Sequence, residues 1–325
     1  MVRSSNISIR RVRLIADCSV LVLAGGDGSR LSALTTTPAG EVIPKQYCSL
    51  GGEPCLLQQA IARAKAVAGE ESVWPVVASY HERWWRKALM TVSRSHIIVQ
   101  PENKGTAFGI LLGLLTLESA TAVSTVLILP ADHHVADEKV LLKALRRLTQ
   151  WSKRDPDGIF LLGAQPEEAD PALGYILPWF DAPFTPIGVY EFIERPKQLE
   201  AQKLINRGAL WNTFIVAGSR QAFLRAYEPR FTPQIKTLRE ILDRPASNPM
   251  CLEGEYRRLG PVDFSHDILE HAKNVKVLRL PVCGWTELGT VSKIKKALLH
   301  RKKTVPSDPL FLDLAESSKN LDLRS

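Results

Sequence analysis

Short apolar runs recur through the first half of the chain, and each is followed by a polar turn and then by a segment whose apolar positions have helical spacing. Strands are predicted near residues 20, 76, 98, 127 and 161. Helices are predicted over residues 56–68 and 80–92 and from about residue 105. Strands that alternate with helices in this way predict a doubly wound, mainly parallel, Rossmann-like α/β sheet.

The second half has a different pattern, in which β-rich segments are separated by loops and one short helix. The predicted strands cover residues 173–178, 189–196, 210–218 and 275–282, and the predicted helices cover residues 198–206 and 291–302. We expect the first three of these strands to form a lid or side sheet across the first half.

The first predicted strand ends in a turn that contains Gly25, Gly26 and Gly28. Glycines allow positive φ angles and let backbone N–H groups approach a phosphate chain. Arg30 follows the turn with a fork of donors that matches phosphate oxygens, and Lys45 comes later on a loop stiffened by proline. This stretch therefore predicts an anion site at the end of the first strand.

Two common glycine loops do not match this turn. The chain contains no G-x-x-x-x-G-K-[ST] string, and a dinucleotide fingerprint would need a third glycine where Leu31 stands. An ordinary tight turn between strand and helix, without a ligand, is the alternative interpretation. The net charge of +8 suits anionic partners without naming one, so nucleotides, sugar phosphates, RNA and membrane surfaces all remain open.

Two later turns carry side chains suited to a nucleotide. Gln100 opens the turn before the helix that starts near residue 105, and its amide offers both a donor and an acceptor to a base edge. Asp132 stands just past the strand near residue 127, where a single carboxylate suits Mg²⁺. His133 and His134 follow it without an H-E-x-x-H string or a cysteine cluster, so a zinc site is not favoured.

The composition is that of a globular protein, with 45% hydrophobic and 23% charged residues among 325. The five cysteines form no C-x-x-C pair, which favours a reduced, cytoplasmic protein. The N-terminus lacks an apolar signal core, and the most apolar run, residues 108–117, is too short to cross a bilayer. We therefore expect a soluble protein with no membrane partner.

Eight short motifs follow one another between Leu23 and Thr290, and together they resemble the sugar-1-phosphate nucleotidyltransferases. In chain order they read LAGGDGSRL, PKQY, QPENKGTA, PADHH, GYI, FIERP, LWNTFIV and WTELGT. The closest likeness is to the mannose-1-phosphate guanylyltransferases, because the PKQ, N-x-G-T-A and DHH strings favour that branch. The resemblance covers nearly the whole chain between its termini.

The resemblance implies a role for each motif. Gly25, Gly26 and Gly28 would cradle the nucleotide phosphates. Arg30 would contact the pyrophosphate leaving group, and Lys45 would lie near the α-phosphate or the sugar phosphate. The residues expected against the base are Gln100, Asn103, Gly105 and Thr106. The residues expected around the sugar are Gly174, Glu194, Arg195 and Asn212, and those expected to hold Mg²⁺ are Asp132 and Glu287.

The implied function is Mg²⁺-dependent synthesis of an NDP-sugar, in the closest case GDP-mannose, from GTP or another NTP and a sugar 1-phosphate. The chain departs from the family pattern at residues 32–34 and the loop before Pro44, at Phe108, and at two residues that bear on function. Arg195 stands where lysine is usual, and Glu287 stands where a second metal-binding aspartate is expected. These departures leave a catalytically silent homologue that binds a sugar nucleotide as the alternative. No nucleic-acid partner is expected, and a homo-oligomer is left open.

The resemblance also implies a domain organisation. Residues 1–16 would be an N-terminal extension, and residues 17–325 would form a single nucleotidyltransferase domain. Within that domain we expect a nucleotide half over about 17–165, a sugar-binding half over about 166–290, and a C-terminal helix and tail over 291–325.

Overall fold

A computed structural model describes residues 18–50, 54–243 and 249–300 of the chain. The predicted N-terminal extension and the tail after residue 300 lie outside the described residues. The division into two halves therefore stays a prediction for the chain as a whole.

The described strands and helices alternate through the first half and then become β-rich. The strands are β1 (Ser19–Ala24), β2 (Val73–Ala78), β3 (Ile98–Gln100), β4 (Thr125–Pro130), β5 (His133–His134), β6 (Ile159–Ala164), β7 (Tyr175–Pro178), β8 (Ile187–Ile193), β9 (Leu210–Ser219), β10 (Val275–Arg279) and β11 (Thr286–Glu287). The helices are α1 (Ser32–Thr35), α2 (Leu56–Ala68), α3 (Glu82–Ala88), α4 (Gly105–Ala120), α5 (Glu138–Arg154), α6 (Gln198–Asn206), α7 (Arg220–Leu242), α8 (Pro249–Arg258), α9 (Phe264–Asp267) and α10 (Val291–His300).

Nine of these strands form one sheet in the order β3-β2-β1-β4-β9-β6-β10-β8-β7, and β5 pairs separately with β11. β1 runs parallel to β2 and β4, β2 runs parallel to β3, and β10 runs parallel to β6. The antiparallel pairings in this sheet all involve β8 or β9. The prediction of a mainly parallel α/β sheet is confirmed.

The expectation of a separate lid or side sheet is wrong. β7, β8 and β9 all join the main sheet, and β9 lies in its middle between β4 and β6. Nine of the ten residues of β9 are buried, so this strand has an apolar layer on both faces. A strand that is buried on both faces is found at the centre of a sheet. The order of the strands along the chain does not reveal this position.

Helices cover both faces of the sheet, and alternate residues of each strand supply two cores. In β1, Val20 and Val22 face the layer that holds α2 and α5, whereas Leu21 faces the layer that holds α4 and α7. This alternation is the period of two that a strand imposes on its side chains. The arrangement is doubly wound, as predicted.

Helix α4 is apolar on all sides because it lies between the sheet and α7. No helix in the described part of the chain is long and apolar enough to cross a membrane. The helix predicted over residues 80–92 is shorter than expected, since a 3₁₀ turn precedes α3 and the helix ends at Ala88. The helix predicted over residues 198–206 is confirmed as α6.

Candidate active site

The glycine loop follows β1 at the carboxyl edge of the parallel strands, where open α/β sheets bind ligands. Gly28 has a φ angle of 64°, which glycine adopts without strain. A Cβ at this position would lie 3.1 Å from the backbone N of Lys45, so the loop and the Lys45 segment are in close contact. The Gln46 side chain fixes this contact by donating to the carbonyls of Ala24 at 2.9 Å and Gly26 at 2.7 Å.

Two ion pairs join the cations of the loop region to the predicted metal ligands. Lys45 Nζ lies 2.6 Å from Asp132 Oδ2, and Arg30 donates to Glu287 Oε1 over 2.6 Å. Lys45 is buried, whereas half of the Arg30 side chain is exposed. The structure thus brings together four residues that are up to 257 positions apart in sequence.

The short strand pair β5–β11 explains how the two carboxylates come to the same place. Glu287 is opposite His133 in this antiparallel pair, and Asp132 directly precedes His133. The side chain of Arg63 links β5 to helix α5, because it donates to the His133 carbonyl at 3.1 Å and to Glu138 at 2.7 Å. The lone pair on His133 Nδ1 accepts the indole N–H of Trp285 at 3.2 Å, which agrees with a packing role for this histidine.

The electrostatics of Asp132 favour the ionised form. Burial alone would raise its pKa, but the ammonium of Lys45 and the neighbouring His133 outweigh this effect and lower the pKa to about 2. Asp132 is therefore a carboxylate at neutral pH. No group of three or more His, Cys, Asp or Glu side chains among the described residues is arranged to hold a metal ion. Two carboxylates fit Mg²⁺, which commonly takes one or two from the protein and other ligands from water and substrate phosphates.

The predicted base-binding turn lies beside the glycine loop. Gln100 is buried, and a Cβ on Gly25 would lie 2.5 Å from its Nε2, so the amide packs directly against the loop. Its Oε1 accepts no hydrogen bond from any described residue. Asn103 Nδ2 donates to Asp27 at 3.2 Å, and Asn103 Oδ1 accepts from the N–H of Gly105 at 3.1 Å. A buried acceptor without a partner at this point is suited to a ligand N–H.

Gly105 marks the start of α4 and has a φ angle of 83°. A Cβ here would lie 2.2 Å from the carbonyl oxygen of Val262, so only glycine fits. Next to it, Thr106 Oγ1 accepts from the N–H of Phe264 at 2.8 Å, and the N–H of Ala107 donates to Val262 at 3.1 Å. The segment 262–264 therefore closes one side of the region that is predicted to bind the base.

The predicted sugar-binding residues meet at the other end of the site. The N–H of Asn212 donates to the Gly174 carbonyl at 2.8 Å, and its Nδ2 lies 3.2 Å from Ser265 Oγ. A Cβ on Gly174 would lie 2.3 Å from Glu194 Oε2, so glycine is needed for the carboxylate to occupy this position. The Glu194 N–H donates to Glu270 at 2.7 Å, which fixes the backbone that carries this side chain.

Glu194 has an unusual environment for a carboxylate. Burial raises its pKa to about 7, and the nearby charge of Asp263 adds to the increase. Its Oε2 is buried and has no hydrogen-bond partner among the described residues. Arg195 lies beside it with a left-handed φ of 50°, and its guanidinium is 3.6 Å from Glu194 and 3.7 Å from Asp263. Such strain in a non-glycine residue is typical of functional sites.

All predicted site residues line one of two adjoining cavities. The larger cavity has a volume of about 330 Å³ and includes Gly25, Gly26, Arg30, Gln100, Asn103, Gly105, Thr106, Asp132, Gly174, Glu194, Arg195, Asn212 and Glu287. The smaller cavity, of about 200 Å³, includes Gly28 and Lys45 and shares Gly26, Arg30 and Asp132 with the larger one. The motifs that are scattered along the sequence thus form one continuous site.

Several residues of the site were not predicted, and four of them have contacts that matter for its shape. Gln46 supports the glycine loop, Asp27 links that loop to Asn103, and Phe214 and Asp263 line the larger cavity. Gln46 belongs to the PKQY motif and could have been named from it. Asp263 could have been noticed as a helix N-cap, since it precedes α9 and accepts from two of its N–H groups.

A doubly wound sheet with a glycine loop at its carboxyl edge and a second pocket beyond it has its candidate site where open α/β proteins bind their ligands. Residues 19–303 match the family model described as nucleotidyl transferase. The chain belongs to the nucleotidyl transferase family.

Relatives of known name agree with this assignment. The chain is 26% identical over 283 residues to the alginate biosynthesis protein AlgA of Pseudomonas syringae pv. tomato, which covers 84% of this chain and 57% of that protein. It is also 26% identical over 296 residues to the mannose-1-phosphate guanylyltransferase of Escherichia coli, which covers 86% of this chain and 59% of the relative. The chain therefore spans less than two thirds of the length of these relatives.

A solved structure from Thermus thermophilus, described as a mannose-1-phosphate geranyltransferase, has the same fold. It superposes with a TM-score of 0.74 at 23% identity, over 90% of this chain and 80% of that chain. At this level of identity the likeness establishes the fold alone.

Proposed function

We propose that the protein makes GDP-mannose and pyrophosphate from GTP and mannose 1-phosphate, with Mg²⁺ as its cofactor. The observation that carries this proposal is the continuity of the site. The base-binding Gln100 and the sugar-binding Glu194 line one cavity, and the cations Arg30 and Lys45 lie where it adjoins the second. The names of the relatives support the choice of sugar and base.

The chemistry needs no general base from the protein. The attacking group is a phosphate oxygen of the sugar 1-phosphate, which is already anionic, and it would displace pyrophosphate in line at the α-phosphorus of the nucleotide. Catalysis then depends on positioning and on the stabilisation of negative charge. Lys45 would neutralise the reacting phosphate, and Arg30 would neutralise the leaving pyrophosphate.

Asp132 and Glu287 would hold the metal ion. When bound there, Mg²⁺ would neutralise charge on the phosphate oxygens. Both carboxylates are paired with loop cations in the structure, so ligand binding requires Lys45 and Arg30 to exchange carboxylate partners for phosphate oxygens. The cations and the carboxylates would then act on the same phosphate chain from two sides.

The base is proposed to be guanine because relatives are named guanylyltransferases, and the buried acceptor without a partner on Gln100 is compatible with that base. The guanine N2 amino group is a donor that this Oε1 could accept. At the other end, Glu194 and Asn212 would bind sugar hydroxyls. The raised pKa of Glu194 means that its carboxyl group is partly protonated near neutral pH and can also donate.

The test is an assay for pyrophosphate release with a panel of NTPs against a panel of sugar 1-phosphates in the presence of Mg²⁺. We expect the highest kcat/KM with GTP and mannose 1-phosphate. A different preferred pair would correct the substrate and leave the reaction class in place. Release with no pair would favour the catalytically silent homologue, and binding of GDP-mannose measured by calorimetry would then test that alternative.

A further inference from the structure

Phe214 has a backbone conformation that a bulky residue rarely adopts. Its φ angle is 55°, in the left-handed region, although it lies inside the central strand β9. The described part of the chain has only two other non-glycine residues with positive φ, Arg195 and Asn274. One of these, Arg195, lines the same cavity as Phe214.

The pairing of β9 with β6 is irregular around Phe214. Leu161 is opposite Val216 and Gly163 is opposite Asn212, so a step of two residues on β6 faces a step of four on β9. The buried Thr213 compensates for the disrupted ladder by donating its hydroxyl to the Leu162 carbonyl at 2.6 Å. β-bulges of this kind often lie next to active sites, where they redirect a side chain.

Phe214 lies beside the sugar end of the site. Its N–H donates to Asn212 Oδ1 at 3.0 Å, so the two residues are held as one unit, and both line the larger cavity. The ring is half-buried and meets Phe264 edge-on with 6.0 Å between ring centroids. Phe264 belongs to the hydrophobic core against which Phe214 packs, and Phe214 is at the same time one of the residues that line the cavity.

We infer that Phe214 determines sugar specificity: its ring forms an apolar wall against which the C–H face of a pyranose packs. This inference rests on the proposed function. It adds an apolar contact to the polar contacts that are predicted for the sugar. Glu194 and Asn212 can pair with hydroxyls, whereas an aromatic ring favours polarised C–H groups and apolar contact.

The wall would act mainly by exclusion. A hydroxyl that points at the Phe214 ring loses water without gaining a partner, which is unfavourable. Epimers of a hexose differ in which hydroxyls point to which side, so an apolar wall separates them. Without the ring, water can reach that hydroxyl, and the preference among epimers should become smaller.

The experiment compares wild-type protein with Phe214→Gly and Phe214→Leu. Glycine suits the positive φ of this position, so Phe214→Gly removes the ring while keeping the backbone favourable. Binding of mannose, glucose and galactose 1-phosphates is measured by calorimetry, and kcat/KM is measured with the preferred NTP. We expect Phe214→Gly to bind the preferred sugar 1-phosphate at least about tenfold more weakly and to reduce its preference over the epimers by at least about tenfold. For Phe214→Leu, both the affinity for the preferred sugar 1-phosphate and the preference over its epimers should lie between those of wild type and Phe214→Gly.

The KM for the NTP should stay within about twofold of wild type in both variants, since the contacts proposed for the base and phosphates are kept. Phe180→Ala, which removes an exposed ring outside both cavities, is the matched control and should change none of these values. Unchanged discrimination, or an equal loss of sugar and NTP affinity, would overturn the inference. If wild-type protein binds these sugar phosphates without turnover, the proposed reaction fails while the binding ratios still decide the role of Phe214. If it binds none of them, both fail.

Discussion

Lys45 Nζ lies 2.6 Å from Asp132 Oδ2, so the cation proposed to act on the reacting phosphate neutralises the carboxylate proposed to hold the metal. The pair is mostly shielded from water, with 10% of the Lys45 side chain and 27% of the Asp132 side chain exposed. The Lys45–Asp132 pair is therefore charge-balanced before any ligand arrives. On ligand binding, phosphate oxygens would become the partners of Lys45 and a divalent cation would become the partner of Asp132, so neither side chain would be left unpaired.

Replacement of Lys45 by alanine should reduce turnover by a factor of roughly 10² or more, as expected when one preorganised donor worth about 3 kcal/mol is removed. Steady-state kinetics would measure the effect. Lys139→Ala, at an exposed lysine on α5, is the control for loss of a positive charge and should behave as wild type. Near-normal turnover in Lys45→Ala would show that Lys45 serves only the resting ion pair.

Glu287 is expected to govern the dependence on Mg²⁺. Glu287→Gln keeps the size of the side chain but removes its charge, so the Mg²⁺ concentration for half-maximal activity should rise by roughly tenfold or more. Glu287→Asp keeps the charge and should show a smaller change. A thermal shift titration with Mg²⁺ in the presence of nucleotide provides a second measurement that does not rely on turnover.

Glu287→Gln also weakens the interaction with Arg30, whose guanidinium donates to Glu287, because the amide oxygen can still accept but carries no charge. If the main role of Glu287 were to hold Arg30 in place, the KM for the NTP would change and the Mg²⁺ dependence would not. That result would contradict the assignment of Glu287 as a metal ligand.

The residues named from the motifs converge on adjoining cavities because several of them lie at the ends of elements whose positions follow from local sequence. Gln100 ends β3, and Asp132 lies just beyond β4. In a parallel sheet the carboxyl ends of these strands share one edge, so their side chains meet whatever the details of packing. Glycine positions were also informative, since Gly105 and Gly174 are required by contacts with backbone or side chains distant in sequence.

Long-range pairing could not be predicted in the same way. β9 lies between β4 and β6, and nothing in its own sequence specifies neighbours that are so far from it along the chain. The bulge at Phe214 depends on that pairing and was missed for the same reason. The ion pair of Arg30 with Glu287 arises only once β5 and β11 meet, and the two short strands give no sign of that pairing in the sequence.

Glu194 should make the stability of the protein depend on pH. Burial, with the charge of Asp263, raises its pKa from 4.5 to about 7, so ionisation of Glu194 is less favourable in the folded protein than in the unfolded chain. The penalty is absent below about pH 4.5, grows as the pH rises toward 7, and is then constant.

Glu194→Gln removes this penalty. Relative to wild type, the variant should have a similar free energy of unfolding at about pH 4.5 and a higher one at about pH 8, by up to about 3 kcal/mol. Urea unfolding at several pH values measures the difference. Glu200→Gln, at an exposed carboxylate on α6, should show no such trend. A difference between Glu194→Gln and wild type that does not change with pH would mean that Glu194 titrates normally.

We predict that Gly105 tolerates no side chain, because its φ angle is positive and because a Cβ would clash with Val262. Gly208 shares only the first of these two features, so it serves as the control. Gly105 and Gly208 both have positive φ angles, of 83° and 89°, but a Cβ at Gly105 would lie 2.2 Å from the Val262 carbonyl oxygen whereas one at Gly208 meets nothing within 4 Å. Gly208→Ala should therefore cost about 1–2 kcal/mol of stability from backbone strain alone. Gly105→Ala should cost a further 1–3 kcal/mol or so from overpacking, measured by urea unfolding.

Because Val262 accepts from the first turn of α4, Gly105→Ala should also raise the KM for the NTP, while Gly208→Ala leaves it unchanged. Equal losses of stability in the two variants would mean that segment 262–264 moves freely and does not shape the base-binding region.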